Sequence, residues 1–197
     1  MGERGETAAS RGSPGASRGS TVAVAFASVA VAGLCMVLLT ASNHRYGPAY
    51  ETSAIAAMRT YCGAQNIFHR TDYDGDGVLE YCGPTNAEHP DFTWLCHATV
   101  SGTKIELLDN AFAAATSANT PKAGYWFVEI PLDVDGNPYD AATGYALCAV
   151  PAVYNQTGLY TFVVDTQGTV FQIDNGGRPV TRFPDVDAAE MEWIVVE

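Results

Sequence analysis

The chain has 197 residues, of which 47% are hydrophobic and 16% charged, with a formal charge of -12. That length fits one domain with at most an appendage, and the charged fraction lies well below the roughly 25% of an average soluble protein. The acidic excess excludes a nucleic-acid binder, because phosphate binding needs a basic face.

The averages conceal a division. No charged residue occurs from Gly19 to Asn43, and Thr21–Ala41 is built on Val, Ala, Leu and Phe. About 20 apolar residues at 1.5 Å rise cross a bilayer's hydrocarbon core. Residues 20–42 are therefore assigned as a single transmembrane anchor, favoured over a removed signal peptide. The run exceeds a signal peptide's apolar core, and Leu39-Thr40-Ala41 makes a weak cleavage site. Arg4, Arg11 and Arg18 against Glu3 and Glu6 leave the arm 1–19 at +1, and the chain beyond it at -13. The positive-inside tendency then keeps the N-terminus in the cytoplasm and exports the C-terminal part. The arm, rich in Gly, Ser and Ala, has too little apolar surface to fold.

After the anchor, Gly47-Pro48 punctuates the chain, and Pro48 suits the first turn of a helix. Ala54, Met58, Tyr61 and Phe68 form one apolar stripe, which predicts an amphipathic helix over 48–69, the end of a connecting segment 43–69. The remainder, 70–197, reads as the exported α+β head. It opens on a turn-rich acidic stretch, 71–80, and continues through a loosely patterned stretch to Trp94. A second helix is expected over 104–116, with Ile105, Leu108, Phe112 and Ala115 on one face. Strands are expected at 124–131, 144–153, 158–165 and 169–174, the last two joined at Thr166-Gln167-Gly168 as a hairpin. Asp133–Pro138 is the loop between the first two. The whole predicts an antiparallel meander with one face on the helix and the other free to bind a partner. The end, 184–197, reads as a helical turn and a short edge strand.

Cys62, Cys82, Cys96 and Cys148 are an even set in an exported domain, which suggests two disulfides, with Cys62–Cys82 and Cys96–Cys148 favoured among three pairings and four buried thiols as the alternative. The strongest chemical motif is the loop opened by Asp72, Asp74 and Asp76, with Gly77 next. It matches the D-x-D-x-D-G opening of an EF-hand-type Ca²⁺ loop, in which alternating carboxylates converge on a hard cation. The Val78 carbonyl and Glu80 complete the candidate ligand set, while Gly83 stands where the usual bidentate Glu would be. An Asp/Gly turn with solvated carboxylates is the competing reading. Cys82, His89, Cys96 and His97 fit no zinc spacing, and the chain carries no G-x-S-x-G, H-E-x-x-H or phosphate-binding Gly-rich loop.

Glu51-Thr52-Ser53-Ala54-Ile55-Ala56-Ala57-Met58-Arg59-Thr60 followed by Ala64-Gln65 resembles the post-anchor helix of bacterial type IV pilin-like and pseudopilin-like proteins. Pro121–Phe127 and Thr161–Asp165, with Gly168 and Val170-Phe171, resemble the sheet of an uncharacterised pilin-like envelope family. Gly19 after Arg18 stands where a prepilin is cut, but Ser20 and Val24 replace the Phe or Met and the Glu expected there. The resemblance implies a non-enzymatic protein of the bacterial cytoplasmic membrane, with like subunits or secretion and pilus components as partners. An exported hydrolase or carbohydrate-active protein using the acidic cluster, and a secreted binding module, are the competing functions.

Overall fold

A computed structural model of the chain describes residues 48–73, 75–100, 102–186 and 192–196. Helix α1, Pro48–His69, has the bounds that the sequence predicts. Pro48 sits where a missing N–H costs nothing, and Glu51 places negative charge in the first turn. Ala54, Met58, Tyr61, Gln65 and Phe68 are all buried along one face.

Beyond the acidic stretch come a short helix α2, Trp94–His97, and a two-residue hairpin of β1, Thr99–Val100, and β2, Thr103–Lys104. The expected helix over 104–116 shrinks to α3, Asn110–Ala114. Lys104 is strand, and the Leu107 and Leu108 N–H groups both donate to the Leu95 carbonyl, at 2.6 and 2.9 Å. Helix starts only where the Asp109 carboxylate accepts from Phe112 N–H at 2.7 Å.

The sheet is antiparallel, and its order follows the chain: β3, Tyr125–Glu129; β4, Ala146–Pro151; β5, Thr161–Asp165; β6, Phe171–Ile173; β7, Ile194–Val195. Gly168, at a φ of +75°, donates to the Asp165 carbonyl at 2.9 Å and closes the β5–β6 hairpin. β7 is the expected edge strand. The helical turn expected before it falls largely on residues 187–191, which lie outside the described residues.

Two hydrophobic layers flank the sheet. On the α1 side, Tyr61 stacks on Phe112, which stacks on Phe127 with ring centroids 4.4 Å apart, so that helix, α3 and strand share one aromatic column. Each such fully buried ring contributes about 1.5–3 kcal/mol of transfer free energy. On the other side, Cys148, Val150 and Val163 pack with Phe183, Val180 and Trp193. All six residues of β4 are buried. This corrects the expectation of a bare sheet face. The segment after β6 returns to cover it, pinned by the Phe183 N–H to the Leu132 carbonyl at 2.8 Å.

Candidate functional site

The acidic loop begins one residue after α1 and is shaped by its own carboxylates. Asp72 Oδ1 accepts from Gly75 N–H at 2.7 Å, and its Oδ2 accepts from Gly77 N–H at 3.0 Å. Asp76 Oδ1 accepts from Val78 N–H at 2.7 Å. Gly75 and Gly77 have φ near +81° and +84°, the left-handed region that glycine enters without a Cβ penalty. Asp72 and Asp76 thus share one exposed turn, while Asp74 lies outside the described residues. Glu80 is half-buried, and its Oε2 accepts from Asn86 Nδ2 at 3.0 Å. Among the described residues, no three His, Cys, Asp or Glu side chains are grouped as a metal site.

Beneath the loop lies a cavity of about 10 Å³, the space of one water molecule, lined by Phe68, Thr71, Tyr73, Val78, Glu80 and His89. His89 is buried, with its ring edge-on to Phe68 and Trp94, and its Nδ1 has no hydrogen-bond partner. Asn86 joins the two walls: its amide donates to Glu80 and to the Tyr81 carbonyl, and its Oδ1 accepts from the Glu88 and His89 N–H groups. A wider groove of about 320 Å³ is lined by Thr93, Trp94, His97, Ala98 and Thr99.

The return from the loop to α1 is made by Gln65. Its Oε1 accepts from Cys82 N–H at 3.0 Å, and its Nε2 donates to the Cys82 carbonyl at 2.7 Å and to the Tyr61 hydroxyl at 2.8 Å. A tie between α1 and residue 82 is what the expected Cys62–Cys82 bridge would have provided. The structure instead holds Cys62, Cys82, Cys96 and Cys148 as four buried free thiols. Cys62 faces the Tyr145 hydroxyl. Cys96 and Cys148 belong to the layers on opposite sides of the sheet, so the sheet separates the second expected pair. Burial raises the thiol pKa of Cys96 to about 11 and that of Cys148 to about 12, which keeps both protonated and unreactive near neutral pH.

Glu129 is the unanticipated acid. It follows Tyr125 and Phe127 on the inner face of β3, its Oε1 has no partner, and the Phe92 N–H donates to its carboxyl. Burial, and secondarily the charge of Asp91, holds its pKa well above the usual carboxylate range. Strand alternation from Tyr125 would have located it. Likewise, the 54, 58, 61, 68 stripe has a gap that Gln65 fills.

Residues 42–193 match the family model described as "Protein of unknown function (DUF2950)". The chain belongs to the DUF2950 family. No curated protein and no solved structure matches it. The DUF2950 match takes in α1, the acidic loop, the aromatic column and strands β3 to β6, and ends at Trp193, just before β7. Its start coincides with the end of the uncharged run 20–42, which itself, with the arm 1–19, lies outside the described residues. Among the described residues, no helix is long and apolar enough to cross a membrane.

Proposed function

We propose that this DUF2950 protein is a single-pass, non-enzymatic envelope component of pilin-like or pseudopilin-like architecture. It is held in the bacterial cytoplasmic membrane by residues 20–42, with the head outside and a Ca²⁺ ion closing the loop of Asp72, Asp74, Asp76, Val78 and Glu80. The observation that carries this reading is the course of α1. It begins at Pro48, five residues beyond the uncharged run, and delivers the chain to the acidic loop after 22 residues, about 33 Å along its axis. A helix so placed joins the candidate anchor to the acidic loop along the chain, with its buried stripe packed into the head. Among the described residues, one long helix laid across a sequential antiparallel sheet supports the pilin-like form. Two carboxylates on one glycine-shaped turn support the ion. With both sheet faces covered, the contact surface for like subunits or secretion components is the loop end, where Val78 and Leu79 are exposed beside the carboxylates.

The test is fractionation of cells expressing the full chain, with alkaline carbonate extraction, co-expression of a prepilin peptidase, and cross-linking in the membrane. The protein is expected to resist extraction and to yield cross-linked oligomers. Release by carbonate overturns the anchor, and a retained leader on a monomer overturns the filament form.

A further inference from the structure

We propose that the small cavity beneath the acidic loop is a site for a first-row transition cation of the Zn²⁺ type, held between His89 Nδ1 and the Glu80 carboxylate. This cation differs in chemistry from the Ca²⁺ assigned to the loop above. Its site stands or falls separately from that assignment, although Glu80 belongs to both ligand sets.

His89 carries the inference. The residue is 4% exposed, its Nδ1 is shut off from solvent, and among the described residues that nitrogen has no hydrogen-bond partner. Buried polar atoms are almost always paired, so one left over points to a guest. Two neighbours of the ring are aromatic, Phe68 and Trp94, with centroids 5.0 and 5.1 Å away. In the cavity that His89 lines, the polar side chains are Thr71, Tyr73 and Glu80. None of them reaches Nδ1 directly. The separation is that of an intervening atom.

Asn86 sets that separation. Its Nδ2 donates to Glu80 Oε2 at 3.0 Å while its Oδ1 accepts from His89 N–H at 2.9 Å, so one buried amide positions both ligands. Asn86 N–H donates to the Gly83 carbonyl at 2.9 Å, and Gly83 N–H donates to the His89 carbonyl at 3.0 Å. Residues 83–89 are thereby closed on themselves, and the His89 backbone is fixed. Outer partners of this kind are what orient the ligands of a metal.

Size and donor chemistry select the guest. A volume of about 10 Å³ admits one water-sized particle and excludes an organic ligand. A neutral imidazole nitrogen and a carboxylate both offer lone pairs, so the particle is either a cation or a water giving two protons. No described Lys or Arg lines the cavity, and Asp72 and Asp76 belong to the adjoining turn, a setting that favours positive charge. Imidazole with carboxylate suits Zn²⁺, at about 2.0–2.2 Å from each, whereas Ca²⁺ takes oxygen ligands. Thr71 Oγ1 gives its proton to the Ile67 carbonyl at 3.1 Å and keeps its lone pairs for a third position. Thr71 is exposed, so water completes the shell from that side.

The test is calorimetric titration of Zn²⁺ into the full chain in detergent at neutral pH, with millimolar Ca²⁺ present throughout to satisfy the loop. His89→Gln and Glu80→Gln are each expected to weaken Zn²⁺ binding at least about tenfold, and Asp72→Asn to leave it unchanged. In the parent labelled with ¹⁵N-histidine, Zn²⁺ is expected to shift the ring-nitrogen signals of His89 and to leave those of His69 and His97 in place, a reading that needs no variant to fold. No uptake at millimolar Zn²⁺ assigns a water to the cavity and overturns the proposal. Uptake that leaves the His89 signals unmoved, or that Asp72→Asn abolishes and His89→Gln does not, places the ion elsewhere and overturns it too. A chain that binds Zn²⁺ through His89 but melts equally with Ca²⁺ and with EGTA loses the calcium loop and keeps this site.

Discussion

The side-chain amide of Gln65 grips the backbone of Cys82 from both sides, taking its N–H at 3.0 Å and giving a proton to its carbonyl at 2.7 Å. A side chain used this way replaces a missing sheet partner, so its removal strands two buried backbone groups together with the Tyr61 hydroxyl. Gln65→Leu is expected to cost about 3 kcal/mol or more, since each of the three unsatisfied buried polar groups costs about 1–3. In urea the midpoint should fall with an unchanged slope. A loss under half a kcal/mol, or thereabouts, would mean that the clasp is not formed.

Glu129 makes stability depend on pH in a definite direction. Its folded pKa is raised, so the folded state holds this proton more tightly than the unfolded chain does. Its contribution is fully present below the unfolded value of about 4.3 and is lost as pH rises through the folded value. Glu129→Gln keeps an acceptor for Phe92 N–H and cannot ionise. The variant should therefore unfold at higher urea than the parent at pH 8, with the gap closing toward pH 4. Parallel midpoint curves across that range would refute the buried acid.

Calcium is checked by melting the full chain in detergent with EGTA and with millimolar Ca²⁺. A ligand bound only by the folded head, present at ten times its Kd, adds about 1.4 kcal/mol, or roughly 3–6 °C for a domain of this size. Asp72→Asn should abolish most of the rise. An equal melt in both buffers removes the ion from the loop.

Gly158 faces the Tyr125 hydroxyl so closely that an added Cβ would sit 2.5 Å from the ring's Cζ. The same hydroxyl donates to the Tyr160 carbonyl at 2.9 Å. Gly158→Ala must push the ring out of its place in the core and is expected to cost about 2–3 kcal/mol. Tyr125→Phe loses only the hydrogen bond, about 1 kcal/mol. A denaturation series that ranks the two the other way would show that the strand, rather than the ring, gives way.

Thiol chemistry separates bridges from buried sulfhydryls. Cys62, Cys82, Cys96 and Cys148 should resist alkylation in the folded head at pH 8 and react in guanidinium without added reductant. Mass unchanged by reductant under denaturing conditions is the expected reading, and a gain of hydrogens on reduction would restore the paired cysteines.

The bounds of α1 were legible because Pro48 marks an entry and the 54, 58, 61, 68 stripe marks a face. The same logic misled at 104–116. Ile105, Leu108, Phe112 and Ala115 are indeed all buried, but an extended run followed by one capped turn buries them as well as a helix would. Spacing reports burial, and only hydrogen bonding decides how it is achieved. His89, Asn86 and Glu129 gave no signal as members of an interior, because polar residues are buried by the elements that fold over them. Of the acidic loop, the sequence located Asp72 and Asp76 on one turn and missed that Asn86 draws Glu80 inward.

That strand order follows chain order has a consequence for how the head is made. As the polypeptide emerges from its N-terminus, each strand from β4 onward finds its neighbour already present, and no strand waits for a distant one. α1 is the exception. It emerges before the residues that cover it: Phe68 meets Tyr73 and His89, and Tyr61 meets Phe92, but the Phe112 that stacks on Tyr61 and the Phe127 behind it come later, so the helix spends the making of residues 93–127 with its apolar stripe only partly covered. In that interval the nascent chain is at its most vulnerable to premature association, and a chaperone would gain most by holding it there.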